Sequence, residues 1–111
     1  MKTKCTWVLG LVTLTIGLPI ASAADAAANW EEYCASCHGA TGKADTKMGQ
    51  KLKLKDYSDA KVQAALTDEA LLKATLEGVT VDGKQKMKPY AEKLTAADAK
   101  ALVGLIRSFK K

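Results

Sequence analysis

The chain has 111 residues, a formal net charge of +5, three cysteines and a single histidine. That length holds one domain and excludes a large multidomain enzyme, a repeat array and a polytopic membrane protein. The mild positive charge speaks against a dedicated nucleic-acid binder, which carries a strong basic stripe, and permits docking to acidic partners.

Lys2 and Lys4 form a positive n-region, residues 5–20 are apolar apart from a few threonines, and Ala21-Ser22-Ala23 supplies small residues for cleavage. That is the pattern of a secretory signal peptide. The apolar run of 16 residues is shorter than the roughly 18 of a membrane-spanning helix. The alternative is an uncleaved N-terminal anchor. The expected organisation is therefore a cleaved signal peptide, 1–23, and one exported domain, 24–111. Cleavage removes two of the 17 basic residues and none of the 12 acidic ones, leaving 88 residues with a net charge of +3. So small a domain has a thin core and needs a disulfide, a metal or a cofactor as a staple. Cys5 leaves with the signal segment; Cys34 and Cys37 remain, followed at once by His38.

The first expected helix runs from about Ala26 to Cys37, with Asp25 as N-cap. Ala26, Ala27, Trp30, Tyr33, Cys34 and Cys37 fall on one stripe. Residues 39–56 read as loop, punctuated by Gly39, Gly42 and Gly49 and rich in lysine. A short helical piece fits Asp59–Leu66. The second clear helix opens at Thr67, an N-cap followed by Asp68 and Glu69, and stops at Gly78. Residues 79–94 again read as loop, with Gly83 and Pro89. Thr95 caps the last helix, about Ala96–Phe109, with Ala101, Leu102, Leu105, Ile106 and Phe109 on its apolar stripe. No β-branched alternation appears. The expected fold is all-α, three main helices with long loops. Loops of roughly 15–18 residues are uncommon in a compact domain unless something else fills its centre, a second pointer to a cofactor.

Cys34-Ala35-Ser36-Cys37-His38 matches C-x-x-C-H, the attachment signal of c-type haem. On a helix, residues i, i+3 and i+4 share a face. Cys34 and Cys37 can then each form a thioether on one edge of a porphyrin while His38 points its imidazole at the iron. An export signal fits, because covalent haem attachment in bacteria takes place outside the cytoplasm. Two other chemistries compete. A disulfide-exchange pair would show lowered thiol pKa values and usually sits on a βαβ scaffold, which is absent here. A closed zinc site needs four ligands, and the chain beyond residue 23 has no further Cys or His. With one histidine, bis-histidine ligation within the chain is excluded. The sixth ligand is Met, Lys, water or nothing, and Met48 and Met87 are the methionines that survive cleavage. Reach excludes neither; Pro89 after Met87 restricts the backbone in a way that suits a ligand-bearing loop.

Taken together, the chain resembles the class I monohaem c-type cytochromes of bacteria. The matching pieces are Cys34-Ala35-Ser36-Cys37-His38-Gly39, Thr67-Asp68-Glu69-Ala70-Leu71, Lys86-Met87-Lys88-Pro89-Tyr90, Leu94-Thr95 and Ala101 to Phe109, in the family's order. The resemblance implies a small cytochrome c fold around one covalently attached haem c. It also implies Cys34 and Cys37 as the attachment residues, His38 as the proximal iron ligand and Met87 as the distal one. It further implies that the first and last helices cross, with Ala26 or Ala27 and Trp30 on one side. On the other side Leu105 stands where an aromatic residue is common, beside small Gly104.

An iron bound on both faces has no open position for substrate, and the chain has no spare histidine as a base. The expectation is a periplasmic, monomeric one-electron carrier rather than an enzyme, with no membrane insertion after cleavage. Leu52, Leu54, Leu66, Leu71, Leu72, Leu76, Val79, Leu94, Leu102 and Ile106 would enclose the macrocycle. Tyr57, Gln50 and Lys51 are options for its propionates. Lys43, Lys47, Lys51, Lys53 and Lys55 in one loop and Lys84, Lys86, Lys88 and Lys93 in the other either steer an acidic redox partner or simply form a solvated face. The competing function is a five-coordinate haem module that binds a small ligand.

Overall fold

The computed structural model describes residues 10–17 and 22–111. Most of the signal segment, including Ala21 at the expected cleavage site, lies outside the described residues. Residues 10–17 form no regular structure, and Leu11, Val12, Leu14 and Ile16 are exposed. Among the described residues no helix is long and apolar enough to cross a membrane.

The chain starts its fold one turn earlier than expected. Helix α1 spans Ala23–Asn29, and its N-cap is Ser22, not Asp25. The Ser22 hydroxyl accepts from the Asp25 N–H, and the Asp25 carboxylate accepts from the Ser22 N–H, both at 3.2 Å. This reciprocal pair is a capping box, so in the full chain Asp25 is the box's inner partner. Cleavage after Ala23 would remove Ser22 and leave Asp25 as the first capping side chain. The helix continues through a π-helical turn, Trp30–Cys34, into α2, Ala35–His38. A π-turn inserts an extra residue and so re-aims the helical turn after it. Ala26, Trp30 and Cys34 are buried on this run, and Ala27 is exposed.

The lysine-rich segment is not all loop. Helix α3, Lys47–Lys51, forms under a Thr46 cap, and α4, Ala60–Ala65, under an Asp59 cap. Helix α5, Asp68–Glu77, opens on Thr67, whose hydroxyl accepts from the Ala70 N–H at 3.1 Å. It ends on Gly78 with φ 76° and ψ −174°, a conformation open essentially to glycine.

The all-α expectation then needs correction. Strands β1, Val79–Val81, and β2, Lys84–Met87, pair antiparallel, with an irregularity between Val79 and Thr80. The connecting Asp82 and Gly83 have φ of 51° and 74°. Two consecutive positive φ values match the twist of a tight hairpin, and Asp-Gly is the dipeptide that supplies them. That signal stood in the sequence; the strands beside it are too short and polar to show an alternation.

Helix α6, Ala96–Ser108, starts on a Thr95–Asp98 capping box. Its buried stripe is Ala99, Leu102, Val103 and Ile106, rotated from the expected one, and Ala101, Leu105 and Phe109 are half-buried. Helix α6 packs on α1 and on α5, and α2 packs on α3. Small residues are buried on both the first and the last helix, Ala26 and Ala99. Gly104 makes no close approach, because a Cβ added there meets nothing within 4 Å. The aromatic partner of Trp30 is Phe109, with ring centroids 5.0 Å apart.

One buried polar side chain ties these elements together. Gln63 on α4 donates from Nε2 to the Tyr57 carbonyl at 2.6 Å and to the Ile106 carbonyl at 2.8 Å. Arg107 on α6 donates to the Gln63 side-chain oxygen at 2.9 Å, to the Gln63 carbonyl at 2.7 Å and to the Leu66 carbonyl at 2.6 Å. Its Nε also donates to Asp68 at 2.8 Å. Removing one buried partner of such a network leaves the others unsatisfied. Gln63→Leu is expected to cost about 2 kcal/mol and to lower the melting midpoint by about 10 °C, read by thermal unfolding of the holoprotein.

Candidate functional site

The end of the first helix, α5, α6 and the end of β2 line a cleft. Its wall is mainly apolar: Trp30, Leu71, Ala74, Leu102 and Ile106. Into that wall are set Cys34, His38, Tyr57, Thr75 and Met87. Thr75 brings no free polar group, since its hydroxyl donates to the Leu71 carbonyl at 2.9 Å. Of the apolar residues expected to enclose a macrocycle, Leu71, Leu102 and Ile106 line the cleft. Leu94 is buried in the core, and Leu52, Leu54, Leu66, Leu72, Leu76 and Val79 are half-buried outside the lining.

His38 stands at the last residue of α2, and the turn beneath it is held by several bonds. The Gly39 N–H donates to the Ala35 carbonyl at 2.8 Å, and the Ala44 N–H to the His38 carbonyl at 2.8 Å. The Trp30 indole N–H donates to the Gly39 carbonyl at 2.9 Å. The Thr46 hydroxyl donates to the Cys37 carbonyl at 2.6 Å while accepting from the Gly49 N–H at 2.9 Å. A Cβ at Gly49 would come within 2.7 Å of the Cys37 carbonyl oxygen, so only glycine lets α3 approach this closely. Tyr57 stacks on the imidazole at 5.5 Å and 17°, and Trp30 lies tilted at 5.7 Å.

Burial lowers the His38 pKa from its ordinary 6.5, so the imidazole is neutral at pH 7, the form in which it ligates metals. Its Nδ1 is buried with no hydrogen-bond partner. Cys34 and Cys37 are both free thiols, one buried and one half-buried. Burial, with Cys37 as the smaller contributor, pushes the Cys34 thiol up to about 11. Disulfide-exchange thiols are shifted in the opposite direction. Among the described residues no group of three or more Cys, His, Asp or Glu is placed to hold a metal ion. Cys34 lines the cleft, whereas Cys37, three residues on, is half-buried and outside the lining. An apolar cleft with a neutral imidazole, an orphaned ring nitrogen and an unpaired thiol, with a second free thiol one helical turn on, fits a covalently bound haem.

Met48 and Met87 part company here. Met87 ends β2 and lines the cleft beside His38. Met48 lies on α3, 43% exposed and outside the lining. Met87 arrives through the hairpin, and Gly78 lets the hairpin turn back onto α5. A Cβ at Gly78 would sit 2.5 Å from the Met87 carbonyl oxygen and 2.8 Å from Pro89 N. Of the three residues expected as options for propionates, Tyr57 lines the cleft, whereas Gln50 and Lys51 are exposed on α3. The expected lysines of both loops are all exposed. Trp30 is both core and cleft wall. Ala74 and Thr75 carry no sequence signal that would have singled them out, and Tyr90 stands in the sequence only as the last residue of the Lys86–Tyr90 piece.

The sequence profile of a family described as "Cytochrome C oxidase, cbb3-type, subunit III" matches residues 21–106. Among solved structures, the KustC0563 c-type cytochrome is 35% identical, with a TM-score of 0.69, covering 78% of this chain and 98% of that one. A tyrosine-to-phenylalanine mutant of Kustc0563 is likewise 35% identical, with a TM-score of 0.67, covering 78% of this chain and 99% of that one. No curated protein matches the chain.

Gly78→Ala is expected to destabilise the holoprotein by about 3 kcal/mol, through the forbidden backbone angle and the approach to Met87. Gly104→Ala, which meets open space in mid-helix, is expected to stabilise it by about 0.5–1 kcal/mol. Denaturant midpoints of the two variants check both signs.

Proposed function

The chain belongs to this family of c-type cytochromes, and we propose that it is a periplasmic one-electron carrier with one covalently bound haem c and His38/Met87 axial ligation. Haem-binding electron transfer follows from the family; the ligand pair, the single haem and the location are the proposal. The observation that carries it is the shared cleft, walled by Cys34, His38 and Met87 and otherwise mainly by apolar side chains, with Tyr57 and Thr75 among them.

Each residue has a part. Cys34 and Cys37 would hold the group through thioethers. His38, neutral through burial, would offer a nitrogen lone pair, and Met87 a soft thioether. When bound, haem supplies the Fe(II)/Fe(III) couple, and a Met/His pair raises its potential. Trp30, Leu71, Leu102 and Ile106 exclude water and lower the local dielectric, which disfavours the more highly charged oxidised state. The bonds around Cys37, His38 and Gly39 limit rearrangement, so the site can change charge without changing shape. Export follows from the signal-like residues 1–23, and the exposed apolar side chains of residues 10–17 suit a segment that is removed.

Two experiments test the reading. The far-red absorption band of Met bound to Fe(III) is expected in the wild type and absent in Met87→Ala; a band that persists would transfer the role to Met48. A wild type without the band that binds carbon monoxide readily would instead be a five-coordinate ligand-binding module. Separately, Lys43, Lys47, Lys51, Lys53, Lys84, Lys86 and Lys88 are exposed and would steer an acidic redox partner. Second-order reduction by such a partner is expected to slow at least tenfold between low salt and about 0.5 M salt. A rate indifferent to salt would leave these lysines as a merely solvated face.

A further inference from the structure

Tyr90 lies three residues beyond Met87 and is tied to two walls of the cleft. Its backbone N–H donates to the Thr75 carbonyl at 3.1 Å, and the Ala91 N–H donates to the Leu76 carbonyl at 3.2 Å, both on α5. Its hydroxyl donates to the Tyr33 carbonyl at 3.2 Å, on the opposite helix and immediately before Cys34. The rings of Tyr33 and Tyr90 lie 5.6 Å apart, and the Lys93 ammonium sits 5.6 Å from the Tyr33 ring centroid. Only Lys88 and Pro89 separate Tyr90 from Met87, and proline's fixed φ leaves that link little slack.

We infer that Tyr90 is a positioning residue: its hydroxyl fastens the arm that carries Met87 to the helix that carries Cys34, Cys37 and His38, and so sets how firmly Met87 is held in the cleft. The inference rests on Met87 being the distal ligand. Without the hydroxyl, the arm keeps its tie to α5 but loses its tie across the cleft. The arm then swings more freely, and Met87 leaves the iron more often. A neutral hydrogen bond of this kind shifts such an equilibrium by about fivefold.

The test uses Tyr90→Phe holoprotein, which keeps the ring and removes only the donor. The readouts are carbon monoxide affinity of the reduced protein, far-red band intensity and reduction potential. The expected result is an affinity about fivefold higher, a weaker band and a lower potential, since a slackened thioether favours Fe(II) less. Tyr33→Phe, which leaves the accepting carbonyl in place, is expected to match the wild type in all of these. If Y90F matches the wild type, or differs only in melting midpoint, the inference is overturned. Should Y90F yield no holoprotein, Pro89→Gly keeps both ties of Tyr90 but slackens its link to Met87. It is expected to raise carbon monoxide affinity, and wild-type affinity and potential in P89G would equally overturn the inference. Met87→Ala in the same series separates the two levels. A far-red band missing from the wild type, or surviving in M87A, removes the His38/Met87 reading on which the inference rests. A band lost in M87A but intact in Y90F removes only the role of Tyr90.

Discussion

Everything in the site depends on the direction of one imidazole, and that direction is set by the backbone on either side of it. His38 is the last residue of a helix, where the chain would ordinarily fray. Here the Gly39 carbonyl is held by the Trp30 indole, the Cys37 carbonyl by the Thr46 hydroxyl, and the His38 carbonyl by the Ala44 N–H. Each of these carbonyls accepts from a residue outside the helix's last turn. The turn is therefore rigid because the neighbouring loop closes over it, and the loop can do so because Gly49 has no side chain to meet the Cys37 carbonyl. Tyr57, stacked on the ring, and Trp30, tilted against it, then limit its movement.

Met87 comes to the same cleft by a different device. Met87 reaches the wall at the end of a hairpin that contributes little core of its own, with every residue of the pair except Val79 and Met87 exposed. Such a hairpin is marginal by itself. Its position comes from its ends: the glycine turn at Gly78 on one side, the Tyr90 and Ala91 bonds to α5 on the other. A small domain can thereby place one thioether without building a sheet to carry it.

The remaining wall is organised at a distance. Gln63 accepts from Arg107 and donates to the carbonyls of Tyr57 and Ile106, and both of those residues line the cleft. A buried amide with its partners satisfied specifies one arrangement more sharply than apolar packing of the same volume. Through it, α4, α6 and the loop before α4 share one register, and the cleft keeps its shape where no covalent link reinforces it.

What was legible in the sequence is what is encoded within a turn or two. Cys34, Cys37 and His38 declare their chemistry because their types and their spacing are read within five consecutive residues. Thr67, Thr95 and Gly78 mark their helix ends because caps act on backbone groups three or four residues away. Asp82-Gly83 was equally local, though its flanking strands were too short to confirm it. What lay beyond the sequence was every contact joining distant segments. The Tyr90 hydroxyl meets a carbonyl 57 residues away, and the Gln63 amide one 43 residues away. Nothing in the local sequence says that either makes so long a reach, although Tyr90 stands in the Lys86–Tyr90 piece that carries the resemblance. Met48 and Met87 are chemically the same side chain at comparable removes from a helix. Only the folding of α3 away from the cleft, and of the hairpin into its wall, separates them, because which methionine faces the cleft is decided by how the whole chain packs around it.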